Sequence, residues 1–304
     1  MSRRYSPKAA DDWPQRPCYN FPMNRIGPIE RCGLTVLASV LSAMPPRCGQ
    51  TRVVKSYLNR RPPVAGQLLP RTLAGGARFL LDPSDQMQAS ALLTRHWSAE
   101  IGAFATAALP TGGTFVDVGA NIGLISLPLA RRRPDVTVIA FEPHPTNVAR
   151  WECHRALNSL SNARLEALGL SDRCGSSAMA LSSDLGSGYV IESGDIPIAL
   201  TTLDAYAETH GLARIDVLKI DVEGEEARVL DGAARLLRSG AIGRIIVEIN
   251  MAALARAGFD DEDVISRIVG HGYTPTVIPP IRRRWRPAPA DPNLVDLAFD
   301  APRG

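Results

Sequence analysis

Residues 115–123 read FVDVGANIG, strand-forming residues that run into a turn rich in glycine and apolar side chains. Phe115, Val116 and Val118 supply the apolar, β-branched character of a buried strand, and Asp117 stands among them. A carboxylate there needs a partner, because leaving it unpaired in apolar surroundings is costly. In an open parallel sheet, ligands sit beyond the carboxyl ends of strands, where the chain turns into the next helix. This stretch ends at such a turn.

The flanking sequence fits that setting. From about residue 76, apolar runs of strand length alternate with helical patterns. ARFLLD (77–82) reads as a strand and SAEIGAFATAAL (98–109) as a helix. The unit then repeats: strand 114–118, helix 122–132, strand 136–142, helix 145–160 with Pro145 in its first turn, and strand 163–170. A polar stretch, 171–195, interrupts it with short antiparallel strands around SAMAL and GYVIES. Helix 201–210, strand 215–220, helix 224–240, strand 244–250, a helical region to about 270, and strands 273–278 and 294–300 complete the pattern. An exposed basic loop, RRRWRPAPADP, separates the last two strands. The expected fold is α/β, a mainly parallel sheet with helices on both faces, over residues 76–304. Residues 1–75 are rich in Pro and Arg and read as an accessory extension with one helix at 33–44.

Composition narrows the classes. The chain has 304 residues, 45% of them hydrophobic, and a formal charge of +3 from scattered basic residues, which disfavours a nucleic-acid partner. The five cysteines are odd in number and lack two-residue spacing, so they read as reduced thiols, and the first residues lack an apolar leader. Both features suggest the cytoplasm. The apolar segment 33–44 is too short to span a bilayer. It is expected to pack on the main domain, with peripheral membrane contact and export as lesser alternatives.

Gly119 and Gly123 permit close backbone approach, and Asn121 sits where a positive φ is expected. Glu142 closes the next strand and can accept the hydroxyls of an adenosine ribose. A dinucleotide site would want G-x-G-x-x-G, but Ala120 and Asn121 follow the first glycine. An acid two positions before that glycine suits a cofactor with a cationic amino-acid tail, S-adenosylmethionine. The plainer alternative is that Asp117 only ties the turn.

The stretches FVDVGANIG, FEPHP, LGLSD and TTLDAY…IDVLKIDVEGEEARVLDGA resemble the FkbM-type family of S-adenosylmethionine-dependent methyltransferases, in order and in spacing. The resemblance covers roughly residues 76–300. It implies a class I (Rossmann-like) methyltransferase fold, with a seven-stranded sheet whose last strand runs antiparallel. It also implies O-methylation of a small molecule or glycan. By that similarity Asp117, Gly119, Asn121, Gly123 and Glu142 would line the cofactor site. Asp172, in GLSD, could meet the adenine amino group or simply open an Asx-turn.

KIDVEGEE (219–226) places Lys219 and Asp221 on one strand face, with Glu223 just beyond. Lys219 should have a buried carboxylate partner, Asp117 or Glu248. Asp221, Glu223 and His144 are the candidates for a base or for positioning an acceptor hydroxyl, with helix capping the competing role for the two acids. A divalent ion on Asp221, Glu223 and Glu248 or Asn250 is a weaker alternative, and no metal is expected. His154, His210 and His271 read as surface or capping residues. His96 and Trp97, near Glu100, read as packing or as a flap over the cofactor. Two other functions compete, an NAD-dependent dehydrogenase and a catalytically silent nucleotide-binding or scaffold protein.

Overall fold

A computed structural model describes residues 68–181, 188–191, 196–279 and 294–302. The helix expected at 33–44 and the RRRWRP loop lie outside these residues. The described chain opens with a hairpin the sequence reading saw only in part, β1 (Leu69–Thr72) paired antiparallel with β2 (Arg78–Leu81). Helix α1 (Gln86–Thr94) follows, capped by Asp85, whose carboxylate accepts from the Gln88 amide at 2.8 Å. Next come α2 (Ala99–Ala108), β3 (Thr114–Val118), α3 (Ser126–Arg132), β4 (Thr137–Phe141), α4 (Pro145–Leu157) and β5 (Ala163–Glu166).

Helix α3 starts four residues later than expected, because Gly123 adopts φ +90° and its amide closes a turn onto the Ala120 carbonyl. The expected strand 163–170 is divided. Beyond β5 the chain leaves the main sheet, and β6 (Gly169–Leu170) joins a separate sheet with β7 (Gly175–Leu181), β8 (Gly188–Ile191) and β9 (Ile196–Thr201). Strand β9 escaped the sequence reading because Pro197 interrupts a short run.

The remaining elements are α5 (Leu203–Thr209), β10 (Ile215–Ile220), α6 (Glu226–Asp231), α7 (Ala234–Arg238), β11 (Ile242–Asn250), α8 (Met251–Ala257), α9 (Asp261–Val269), β12 (Thr274–Thr276) and β13 (Leu294–Asp300). The expected helix 224–240 is two short ones. They break at Gly232, where a Cβ would lie 2.0 Å from the Ser171 carbonyl oxygen.

The main sheet has seven strands in the order β12-β13-β11-β10-β3-β4-β5. Strands β11, β10, β3, β4 and β5 run parallel, and the last strand, β13, lies antiparallel between β11 and β12. This is the expected class I arrangement. Alternation along the strands splits the core in two. Val116, Val118, Leu218, Ile220 and Val247 pack with α5, α6 and α9 on one face, while Phe115, Val217, Ile246 and Ala140 pack with α2 and α3 on the other. The second face also carries Asp117, which pairs in register with Lys219.

Two residues depart from expectation on physical grounds. His154 is buried in the core: Nδ1 donates to the Ile122 carbonyl at 2.9 Å, and Nε2 accepts from the Leu80 amide at 3.2 Å. Desolvation pushes it down to about 3, so it is a neutral core residue and not a surface one. Cys153 is disulfide-bonded, which corrects the reading of all five cysteines as reduced thiols. Long-range pairing depends on tertiary proximity, which spacing in sequence does not reveal. Cys174 is free and exposed. Among the described residues no helix is long and apolar enough to cross a membrane.

Candidate functional site

The carboxyl ends of β3, β4, β10 and β11 open into one cavity of about 590 Å³. Its floor is the turn after β3. Gly119 has φ +76°, and a Cβ on it would sit 1.8 Å from the carbonyl oxygen of Asp221, so only glycine fits. Asn121 has φ +50°, as its position suggested. Gly123 is not in the cavity wall; a Cβ there would meet Leu127 at 2.6 Å and Trp151 at 2.8 Å, so it shapes the turn from behind.

Four amides of this turn are already committed. Gly119 and Ala120 both donate to the Phe141 carbonyl at 3.0 Å, Asn121 donates to Glu142 Oε2 at 2.9 Å, and Gly123 donates to Ala120. Glu142 thus braces the turn, and its Oε1 also accepts from the His144 amide at 2.9 Å. Burial raises its carboxyl to about 6, although these amide bonds oppose the rise. Each carboxylate oxygen has two acceptor sites, so Glu142 retains capacity toward a ligand in the cavity.

The sheet register sets the charged centre. Lys219 Nζ lies 3.2 Å from Asp117 Oδ1 and 3.2 Å from Asp221 Oδ2. Burial alone would depress the ammonium, but the two carboxylates outweigh it and hold Lys219 above the ordinary lysine range. The expected ion pair with Asp117 is therefore present. Beyond it, Glu223 adopts φ +56° and accepts from Asn250 Nδ2 at 3.3 Å; burial and the nearby Asp221 raise its carboxyl. Glu226 ties the loop from below. Its Oε1 accepts from the Val222 amide at 3.0 Å and the Gly224 amide at 3.2 Å, and burial raises it to about 7.

Of the residues named from sequence, Asp117, Gly119, Asn121, Glu142, Asp221 and Glu223 line the cavity. His144 and Asp172 do not. His144 caps α4, with Nδ1 accepting from the Thr146 amide at 3.2 Å, and burial lowers its pKa. That bond leaves the proton of the neutral ring on Nε2, so the ring has no free basic nitrogen to offer. Asp172 faces outward and pairs with Arg173 at 3.4 Å, as an exposed turn residue does. Trp97 reaches the cavity, whereas His96 and Glu100 are not in its wall.

The sequence reading named Glu248 only as a partner for Lys219 or, with Asn250, as a ligand of a divalent ion, and did not name the apolar walls Met87, Leu168 and Met179. The period of β11 held a signal for Glu248, because Ile246 pairs with Lys219 and Glu248 follows two residues later on the same face. Among the described lining residues Lys219 is the single basic side chain, against Asp85, Asp117, Glu142, Asp221, Glu223, Glu225 and Glu248. The cavity is suited to a cationic ligand.

Sequence relatives agree with this architecture. A family model described as Methyltransferase FkbM domain matches residues 117–275. Methyltransferase sdnD of Sordaria araneosa is 32% identical over 159 residues, covering 41% of this chain and 61% of that protein. The 31-O-demethyl-FK506 methyltransferase FkbM of Streptomyces tacrolimicus is 28% identical over 201 residues, covering 55% and 74%. Hexuronic acid methyltransferase AglP of Haloferax volcanii is 32% identical over 152 residues, covering 49% and 58%. The chain thus spans about three fifths of the length of sdnD and of AglP. The family match begins at Asp117, runs through the cavity's turn and charged strand ends, and takes in just over half of the chain, which belongs to the FkbM methyltransferase family.

Proposed function

We propose that the chain is an S-adenosylmethionine-dependent methyltransferase that O-methylates a hydroxyl of a sugar, glycan or secondary metabolite. The observation that carries this reading is the turn after β3, whose amides at Gly119, Ala120, Asn121 and Gly123 are all bonded within the protein. A dinucleotide would need free amides at that turn to hold its pyrophosphate. A donor without phosphate needs none, and its cationic sulfonium and ammonium suit the acidic walls.

The residues divide the work. Gly119 leaves room for a nucleoside to approach the backbone, and Glu142 presents acceptor sites for ribose hydroxyls. Asp117, held by Lys219, lies where an ammonium could be met directly or through water. When bound, S-adenosylmethionine supplies a methyl group on a positively charged sulfur. Asp221 and Glu223 stand at the mouth of β10 as groups for orienting an acceptor hydroxyl, and the apolar walls at Trp97, Met87 and Met179 exclude water. The names of FkbM and AglP, each describing methylation of an oxygenated compound, support the acceptor class.

The division into an extension (1–75) and a catalytic domain (76–304) is part of the proposal, with the β1–β2 pairing extending the domain toward Leu69. The cytoplasm expected from sequence is opposed by the Cys153 disulfide, since such bonds persist in oxidising surroundings. Alkylating the protein from its native cell without reductant, then analysing the Cys153 peptide by mass spectrometry, shows whether the bond is present there.

Calorimetric titration with S-adenosylmethionine, S-adenosylhomocysteine and NAD⁺ tests the function. Micromolar binding of the first two and none of NAD⁺ is expected; the reverse order would return the dehydrogenase, and no binding of any would favour a silent scaffold.

A further inference from the structure

Two carboxyl groups face each other in the wall of the cavity. In the register of β10 on β11, Lys219 lies beside Ile246 and Ile220 beside Val247, so one residue past the end of β10 the same register brings Asp221 beside Glu248 in the cavity wall. Both side chains fall on the same sheet face as Lys219 and Ile246 and line the same cavity. Two carboxylates crowded side by side repel when both are ionised, which favours one proton held by the pair.

The surroundings decide which residue holds that proton. Glu248 pairs across β13 with Asp296, and on its other side it meets Asp221; burial and these acids raise it well above the usual carboxylate range. Lys219 opposes that rise, but its ammonium is engaged at 3.2 Å by Asp117 and by Asp221 Oδ2. Glu223, on the loop after β10, is tied to Asn250. The cation therefore favours a charge on Asp221, and the proton resides on Glu248.

We propose that Glu248 and Asp221 form a one-proton carboxyl pair, in which neutral Glu248 donates to the Asp221 carboxylate and that carboxylate takes the proton of the acceptor hydroxyl. The inference rests on the methyltransferase reading and deepens it. As the acceptor oxygen bonds to the methyl carbon, the carbon–sulfur bond breaks and its electron pair stays on sulfur. The hydroxyl proton passes to Asp221, and the pair, now holding two protons, returns one to solvent. Glu248 acts through Asp221 and is a positioning residue.

Carbon-13 NMR of protein labelled at the glutamate side-chain carboxyl tests the pair without any acceptor. A neutral glutamic acid resonance is expected at pH 7, absent in Glu248→Gln and ionising at lower pH in Asp221→Asn. If the resonance lost in Glu248→Gln is already ionised at pH 7, the pair is overturned. The kinetic arm follows transfer of a radiolabelled methyl group from S-adenosylmethionine to a panel of methyl glycosides. Asp221→Asn should lower kcat by about 10²- to 10⁴-fold. Glu248→Gln, which keeps a donor, should recover most of the loss seen in Glu248→Ala and flatten the alkaline limb of the pH profile. Equal losses in those two variants would sink the positioning role. Absence of S-adenosylhomocysteine binding by calorimetry would overturn the functional reading instead. Binding without transfer to any glycoside would overturn the sugar acceptor, with the resonance still deciding the pair.

Discussion

A Cβ placed on Gly119 would lie 1.8 Å from the carbonyl oxygen of Asp221, so the turn after β3 and the end of β10 meet backbone to backbone. Replacing Gly119 by Ala must push these strand ends apart or refold the turn, and its φ of +76° adds strain. We expect Gly119→Ala to abolish S-adenosylhomocysteine binding in calorimetry. Gly211→Ala is the control: it also has a positive φ, +63°, but nothing lies within 4 Å of its added Cβ. That variant should cost only about 1 kcal/mol of stability and leave binding intact.

Glu142 braces the turn and presents acceptor sites to the cavity. Glu142→Gln should weaken S-adenosylhomocysteine binding by about 10- to 100-fold, the worth of hydrogen bonds to a charged acceptor. Because burial raises the native carboxyl to about 6, wild-type affinity should fall as pH drops through that value, when the carboxylate takes up a proton. A flat affinity between pH 5 and 8 would remove the ribose assignment.

Lys219 neutralises a carboxylate, Asp117, that is only 1% exposed. Lys219→Met should destabilise the protein by about 3–5 kcal/mol in urea denaturation, because it leaves a buried charge unpaired. Adding Asp117→Asn should restore part of that loss. Additive losses in the double variant would show that the two groups do not act as a pair.

His154 makes stability depend on acid. Its folded pKa of about 3 lies below the unfolded value near 6.5, so the folded state binds fewer protons than the unfolded one across that window. The contribution is fully present above pH 6.5 and is lost as pH falls toward 3, by about 5 kcal/mol in total. In urea denaturation at pH 7, 5.5 and 4, His154→Gln should show a shallower fall than wild type. Parallel curves would mean that the ring is protonated in the native protein.

Much of the fold is legible in the chain because period and turn chemistry are local. FVDVGANIG announces a strand and a glycine turn, IDVLKI and LVDLAFD read as strands at their observed bounds, and Pro145 opens α4. The misreadings arise where a long-range contact overrides the local pattern. Strand 163–170 divides because Gly169 packs against Leu200 and turns the chain into another sheet. The helix after β10 breaks where Gly232 meets the Ser171 backbone.

The candidate site divides in the same way. Sequence alone determined which residue types stand at the ends of β3, β4 and β10, and with them the acidic character and the class of cofactor expected. Tertiary structure decided which of them converge. It set Lys219 between Asp117 and Asp221, brought Glu248 to Asp221 across a parallel register, and turned His144 into a helix cap. Strand spacing and register are fixed by pairing between segments far apart in the chain, so the linear order offers candidate partners, as it did for Lys219, but does not choose among them.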